Sequence, residues 1–189
     1  MDSAFADADA VLELLHHNTK EHPLFERAAG MVQPCETLLD VGCGIRPQNL
    51  VPCKQHLCVE PHFEYADALE QNGFEVIRST ANEALSHADG VDTIVALDVI
   101  EHMTREEGEA FIQLALSKAR KQVVIFTPLG FIPQSGGDYV DPWGLQGQKW
   151  QEHKSGWTPE DFEGWECITD AVFHTRDGKT YGAFFAIHG

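Results

Sequence analysis

The chain has 189 residues, 43% of them hydrophobic and 23% charged, with 13 lysines and arginines against 30 aspartates and glutamates. That length suits one domain with a substantial core. The formal charge of −17 repels phosphate backbones and anionic lipid, which excludes nucleic acid and membrane surfaces as natural partners.

In chain order, residues 7–18 carry Val11, Leu12, Leu14 and Leu15 at helical spacing, and Pro23–Ala29 forms a second short helix before Gly30. Together, residues 1–30 are expected to be a helical cover. Thr37–Val41 is a first buried strand, followed by a glycine turn and a short or irregular helix from Pro47 to Leu50. His56–Glu60 is a second strand, Phe63–Gln71 a helix stopped by Asn72-Gly73, and Phe74–Ser79 a third strand. Asn82–His87 is a short helix and Val91–Leu97 a nearly all-apolar strand, as at the centre of a parallel sheet. Thr104–Ala119 is an amphipathic helix and Gln122–Thr127 a fifth strand. Residues 128–157 lose all periodicity. Thr158-Pro159-Glu160-Asp161 then starts a helix, and Cys167–Thr175 and Thr180–His188 close the chain as a hairpin turning at Asp177-Gly178. No repeat, low-complexity tract or linker divides the chain, so residues 1–189 read as a single α/β domain. Its expected fold is a Rossmann-like open sheet of seven mostly parallel strands, with helices on both faces and a C-terminal antiparallel hairpin.

Five cysteines (Cys35, Cys43, Cys53, Cys58, Cys167) form an odd set with no CxxC pair, which fits reduced thiols. The start, Met1-Asp2-Ser3-Ala4, lacks the basic and apolar regions of a signal peptide, and no apolar run approaches membrane-spanning length. A cytoplasmic location is the expectation.

The chemistry concentrates in Leu38-Leu39-Asp40-Val41-Gly42-Cys43-Gly44 and, twenty positions after Asp40, in Val59-Glu60-Pro61. In a βαβ unit such glycines let backbone approach a nucleoside cofactor, and an acid ending the second strand accepts from ribose hydroxyls. A dinucleotide fingerprint asks for a third glycine where this chain has Pro47, which weighs against an NAD-dependent oxidoreductase. No GK[ST] follows, so a P-loop is excluded.

These motifs resemble those of the class I S-adenosylmethionine-dependent methyltransferases. Leu38–Gly44 is similar to their first motif and Val59-Glu60-Pro61 to their ribose-binding segment. Val91–Met103, with its Glu101-His102, is similar to their fourth strand and its ending. The resemblance implies S-adenosylmethionine as cofactor. Asp40, Gly42, Cys43 and Gly44 would lie along its methionine half and Glu60 and Pro61 at its ribose. Leu97 and Asp98 would lie near its amino group or sulfonium. Where the family often has an acid for the adenine amino group this chain has Thr80, so Thr80, Ala81 or Asn82 would serve. That departure leaves a non-catalytic cofactor-binding module as a rival reading.

Methyl transfer is an in-line displacement that often needs a base, and histidine is suited to that role at neutral pH. Of ten histidines two stand out by position: His102, after the fourth strand, and His153, in the run ending Ser155-Gly156-Trp157-Thr158-Pro159-Glu160-Asp161-Phe162. Both are candidate catalytic residues. The aromatic segment 128–157 is expected to wall a small-molecule acceptor site, with Phe131, Tyr139, Trp143, Trp150 and Trp157 suiting a homodimer contact equally. His16 and His17 would close the opposite side. No dedicated ligand spacing marks a metal site, so none is expected; Glu101, His102 and His153 would form one only if the fold converged them.

Overall fold

A computed structural model of the chain describes residues 23–189 apart from Gly136, Asp138, Tyr139, Pro142 and Asp177. The expected helix 7–18, His16 and His17 lie outside the described residues, as do Tyr139 and the first residue of the hairpin turn.

The elements are α1 (Pro23–Met31), β1 (Thr37–Val41), β2 (Gln55–Val59), α2 (Phe63–Gln71), β3 (Glu75–Ile77), α3 (Ala81–His87) and β4 (Val91–Leu97). After them come α4 (Arg105–Lys118), β5 (Ala119–Pro128), β6 (Glu166–Arg176) and β7 (Lys179–His188). Single 3-10 turns occupy Ile100–His102, Gly147–Gln151 and Pro159–Asp161. The seven strands form one sheet in the order β3-β2-β1-β4-β5-β7-β6. The first five run parallel, and β7 is antiparallel to both β5 and β6. This is the expected fold class.

Alternation along the strands divides the core into two layers. Leu39, Ile94, Ala96, Val123 and Ile125 face α3 and α4, where Leu85, Phe111 and Ala115 cover them. Their neighbours Leu38, Val95, Val124 and Phe126 face α1, which presents Leu24, Phe25 and Ala28. Helix α4 begins with a capping box: Thr104 accepts from the Glu107 amide, and the Glu107 carboxylate accepts from the Thr104 amide. Its buried Gly108 lets the Trp157 indole lie directly against the helix backbone.

Three expectations change. No helix forms between β1 and β2. Two prolines interrupt that crossover, and side chains brace it instead: the buried Gln48 donates to Phe25 O at 2.8 Å, and its amide donates to Asp40 Oδ2 at 2.6 Å. The helix expected from Thr158 is one 3-10 turn, capped by Thr158 as its sequence signals. Strand β3 is shorter than expected because its partner β2 ends at Val59. No helix among the described residues is long and apolar enough to cross a membrane.

Candidate functional site

Strand order reverses between β1 and β4, and the carboxyl ends of these strands open a crevice where open α/β sheets bind ligands. A cavity of about 260 Å³ lies there, lined by Gly42, Gly44, Glu60, Pro61, Thr80, Ala81, Asp98 and His102 among others. A smaller recess of about 50 Å³ adjoins it and shares Gly42, Gly44 and Asp98; Asp40, Cys43 and Leu97 line it too. Every residue expected at the cofactor thus borders one of two connected hollows.

The glycine turn is built for close approach. Gly42 and Gly44 have φ of +62° and +57°, and a Cβ on Gly42 would stand 2.9 Å from a Val99 methyl. Backbone bonds from Gly42 N to Val59 O (2.7 Å) and from Arg46 N to Cys43 O (2.9 Å) close the turn. Beneath it Asp40 is 2% exposed. Its Oδ2 accepts from both the Gln48 amide and His56 Nε2, the latter at 3.1 Å. Asp40 is therefore a brace for the turn rather than a group held ready for ligand. Burial alone would lower the His56 pKa, but the bonds to Asp40 and Cys58 and their charges reverse this and raise it to about 10.

Glu60 is buried at the end of β2. Its two oxygens each accept one backbone amide: Oε2 from Gly44 at 2.9 Å and Oε1 from His62 at 2.8 Å. Each carboxylate oxygen keeps a further lone pair. Burial outweighs the two amides and raises this carboxyl to about 7. Across the cavity, Thr80 stands at the N-cap position of α3 without a side-chain capping bond, and Asn82 donates from Nδ2 to Glu107 O at 3.0 Å. That bond fixes the amide orientation, and Asn82 Oδ1 is buried without a partner among the described residues.

Asp98 follows β4 in the left-handed region at φ 56°, uncommon for a non-glycine residue. Burial raises its carboxyl, against the charges of Arg46 and His174. Glu101 lies beside it, 2% exposed, with Oε2 accepting from the Thr127 hydroxyl at 3.1 Å. Burial first, and then the Asp98 charge, hold Glu101 well above the ordinary carboxyl range.

His102 and His153 meet edge to face, their ring centroids 5.0 Å apart. His102 Nδ1 bonds to Glu152 O at 3.1 Å and His153 Nδ1 to Ile132 O at 2.7 Å. Carbonyls only accept, so each neutral ring carries its proton on Nδ1 and its lone pair on Nε2. Burial lowers the His102 pKa to about 4, against the bond to Glu152. His102 lines the larger cavity and His153 stands behind it.

The described part of segment 128–157 runs along this edge. Trp150, Gln151 and Lys154 line the cavity, and Trp143 and Gln151 line the recess. Trp157 is different. It is 1% exposed, its Nε1 donating to Ser155 Oγ at 2.8 Å, so it belongs to the core and not to an acceptor wall. Sequence reasoning missed Arg46, which stacks over Trp143 at 5.3 Å, and Tyr65 of α2, whose ring lines the cavity. Neither carried a motif. Each reaches the site only through the packing of the braced crossover and α2.

No protein-family model and no curated protein matches the chain. Solved structures do match its fold. A S-adenosylmethionine-dependent methyltransferase from Archaeoglobus fulgidus superposes with a TM-score of 0.59 at 18% identity, covering 94% of both chains. The N-methyltransferase NodS from Bradyrhizobium japonicum WM9 gives 0.60 at 12% identity, over 90% of this chain and 94% of its own. Magnesium protoporphyrin IX methyltransferase from Synechocystis PCC 6803, solved with bound S-adenosylmethionine, gives 0.55 at 16% identity, over 100% and 87%. The chain has the fold of the class I S-adenosylmethionine-dependent methyltransferases.

Proposed function

From that shared fold, we propose that the protein binds S-adenosylmethionine and transfers its methyl group to a small-molecule acceptor, with oxygen as the receiving atom. The observation that carries this reading is Glu60. It is a buried carboxylate at the end of β2, fixed by two backbone amides, bordering a cavity at the sheet's switch point. Its remaining lone pairs suit the two ribose hydroxyls. Gly42, Cys43 and Gly44 admit the methionine half, with Leu97 and Asp98 opposite; Pro61 flanks the ribose. Thr80 and Ala81 bound the adenine end. Asn82 Oδ1, covered and lacking a donor, is the acceptor that an adenine amino group reaching that end would satisfy. With Asn82 supplying an acceptor, Thr80 no longer argues for a non-catalytic module.

In the reaction the sulfonium S–CH3 bond breaks as the O–CH3 bond forms. The electron pair stays on sulfur, which leaves as a neutral thioether, and the acceptor hydroxyl loses its proton. The chain's part is alignment and proton removal. His153, whose ring meets that of the cavity-lining His102, is the base in this reading, and segment 128–157 apart from the core residue Trp157 is the acceptor wall. Residues 1–189 act as one domain in the cytoplasm, where five free cysteines would stay reduced. Exposed Phe131, which suits acceptor or second subunit, is the ground for a homodimer.

Calorimetric titration with S-adenosylmethionine and S-adenosylhomocysteine, with NAD as control, tests the cofactor. Saturable binding of both sulfur nucleosides and none of NAD is expected. NAD binding alone would replace this reading with an oxidoreductase.

A further inference from the structure

Glu101, His102 and His153 are distant in sequence terms from any metal-ligand motif, yet one donor atom from each lies within 4.8 Å of the other two. We infer that these three side chains form a divalent transition-metal site, which binds an oxygen of the methyl acceptor as a further ligand. The inference rests on the methyltransferase reading for what the ion does, but not for whether it binds.

Three features support it. Two imidazoles and one carboxylate are the donor set of open, three-ligand sites for divalent first-row metals. Metal-ligating histidines bond their other ring nitrogen to a carbonyl or carboxylate, which sets tautomer and ring angle. Both rings here have that arrangement, through Glu152 O and Ile132 O. The carboxylate is aimed as well: the Thr127 hydroxyl holds Oε2, while Oε1 lies 4.0 Å from His102 Nε2. The backbone around it is fixed, with the amides of Lys154 and Ser155 both donating to Glu101 O at 2.7 and 3.1 Å. Those two bonds also tie the residues next to His153 to the residue next to His102.

Closing donor atoms from 4.8 Å onto one ion asks for a small movement of side chains whose outer atoms are already anchored. Of the three residues His102 lines the cavity, and an acceptor oxygen would approach the ion from that side. A hydroxyl bound there becomes more acidic, and its proton can leave to water. His153 then holds the ion, and the bound ion takes over the acidifying role that the base has in the proposed reaction. Catechols, 2-hydroxy acids and enolised dicarbonyls, which offer two oxygens to one ion, are the acceptor class this favours.

The test is titration of the full chain with Co²⁺, followed by visible absorption and calorimetry, on the parent protein and on Glu101→Gln and His153→Gln. One Co²⁺ per chain is expected, with affinity reduced about tenfold or more in each variant. S-adenosylhomocysteine titration and melting curves on the same proteins report folding and the cofactor site separately. No saturable Co²⁺ binding, or binding unchanged in both variants, overturns the site. Intense thiolate-to-cobalt absorption would also overturn it, by placing the ion at the buried Asp40–Cys43–Cys58 cluster instead. Co²⁺ bound as expected without any S-adenosylhomocysteine binding would keep the site and remove the methyltransferase reading.

Discussion

The Gly44 amide donates to Glu60 Oε2 at 2.9 Å, so the turn after β1 and the acid after β2 form one unit. A ligand held by the carboxylate is thereby placed against the glycine backbone.

Glu60→Ala should weaken S-adenosylhomocysteine binding by about 2 kcal/mol or more, since two charge-assisted bonds are lost. The pH dependence has a definite sign. Burial raises this carboxyl to about 7 in the unliganded chain, and ribose hydroxyls donate to its charged form. Affinity should therefore fall as pH drops from 8 to 6, with proton release on binding near pH 7. Calorimetry in buffers of different ionisation enthalpy measures both, and pH-independent affinity would remove Glu60 from the ribose.

Asn82→Ala should cost about 1 kcal/mol of cofactor affinity, the worth of one neutral hydrogen bond. The sharper readout is S-inosylhomocysteine, which carries an oxo group in place of the adenine amino group. The parent protein should prefer S-adenosylhomocysteine and the variant should not. An equal preference in both proteins would show that adenine is read elsewhere.

His153→Ala should lower kcat by about 100-fold or more while leaving S-adenosylhomocysteine affinity unchanged. Steady-state kinetics on an identified acceptor, paired with calorimetry, separates the two. A variant with full turnover would confine His153 to anchoring its loop.

Gly108→Ala should destabilise the protein, although alanine is the better helix former by about 1 kcal/mol. A Cβ at Gly108 collides with the Trp157 ring, which is buried and hydrogen-bonded and has nowhere to turn. Overpacking of this kind costs about 1–3 kcal/mol, enough to reverse the propensity gain. Urea unfolding of the two proteins decides the sign.

The His56–Asp40 pair sets a stability window. Its hydrogen bonds raise His56 from 6.5 to about 10 despite burial. The folded state then holds more protons than the unfolded one between those values, so stability should fall as pH rises from 7 towards 10. The slope from this one group is bounded at about 1.4 kcal/mol per pH unit. Melting curves of the parent should show the decline, and His56→Asn should flatten it.

The sheet was legible because buried parallel strands announce themselves. Thr37–Val41, Phe63–Gln71 and Val91–Leu97 stand in the structure with the bounds read from hydrophobic runs and glycine stops. The glycine turn and Glu60 were legible because glycines after a first strand and an acid after the second form a pattern whose spacing survives in the fold, where the two are hydrogen-bonded. What sequence could not give is convergence in space. Asp40 reads as a ligand-facing acid until His56, sixteen residues on, is seen bonded to it. Trp157 reads as part of an aromatic wall until the missing Cβ of Gly108 shows where its ring goes. Glu101 and His153 lie far apart in sequence, and it takes the folded chain, with the amides of Lys154 and Ser155 on Glu101 O, to reveal that they are neighbours.

His62 joins two parts of the cleft. Its amide holds Glu60 Oε1, its ring donates from Nε2 to Leu145 O at 2.6 Å, and its face meets the edge-on contact with Tyr65 at 4.5 Å. Tyr65 in turn packs on Trp143. Glu60 is thus one residue away from the loop that carries Leu145 and Trp143. One side chain thus couples the carboxylate after β2 to the loop carrying Trp143 and Leu145, so a change at His62 is felt at both places together.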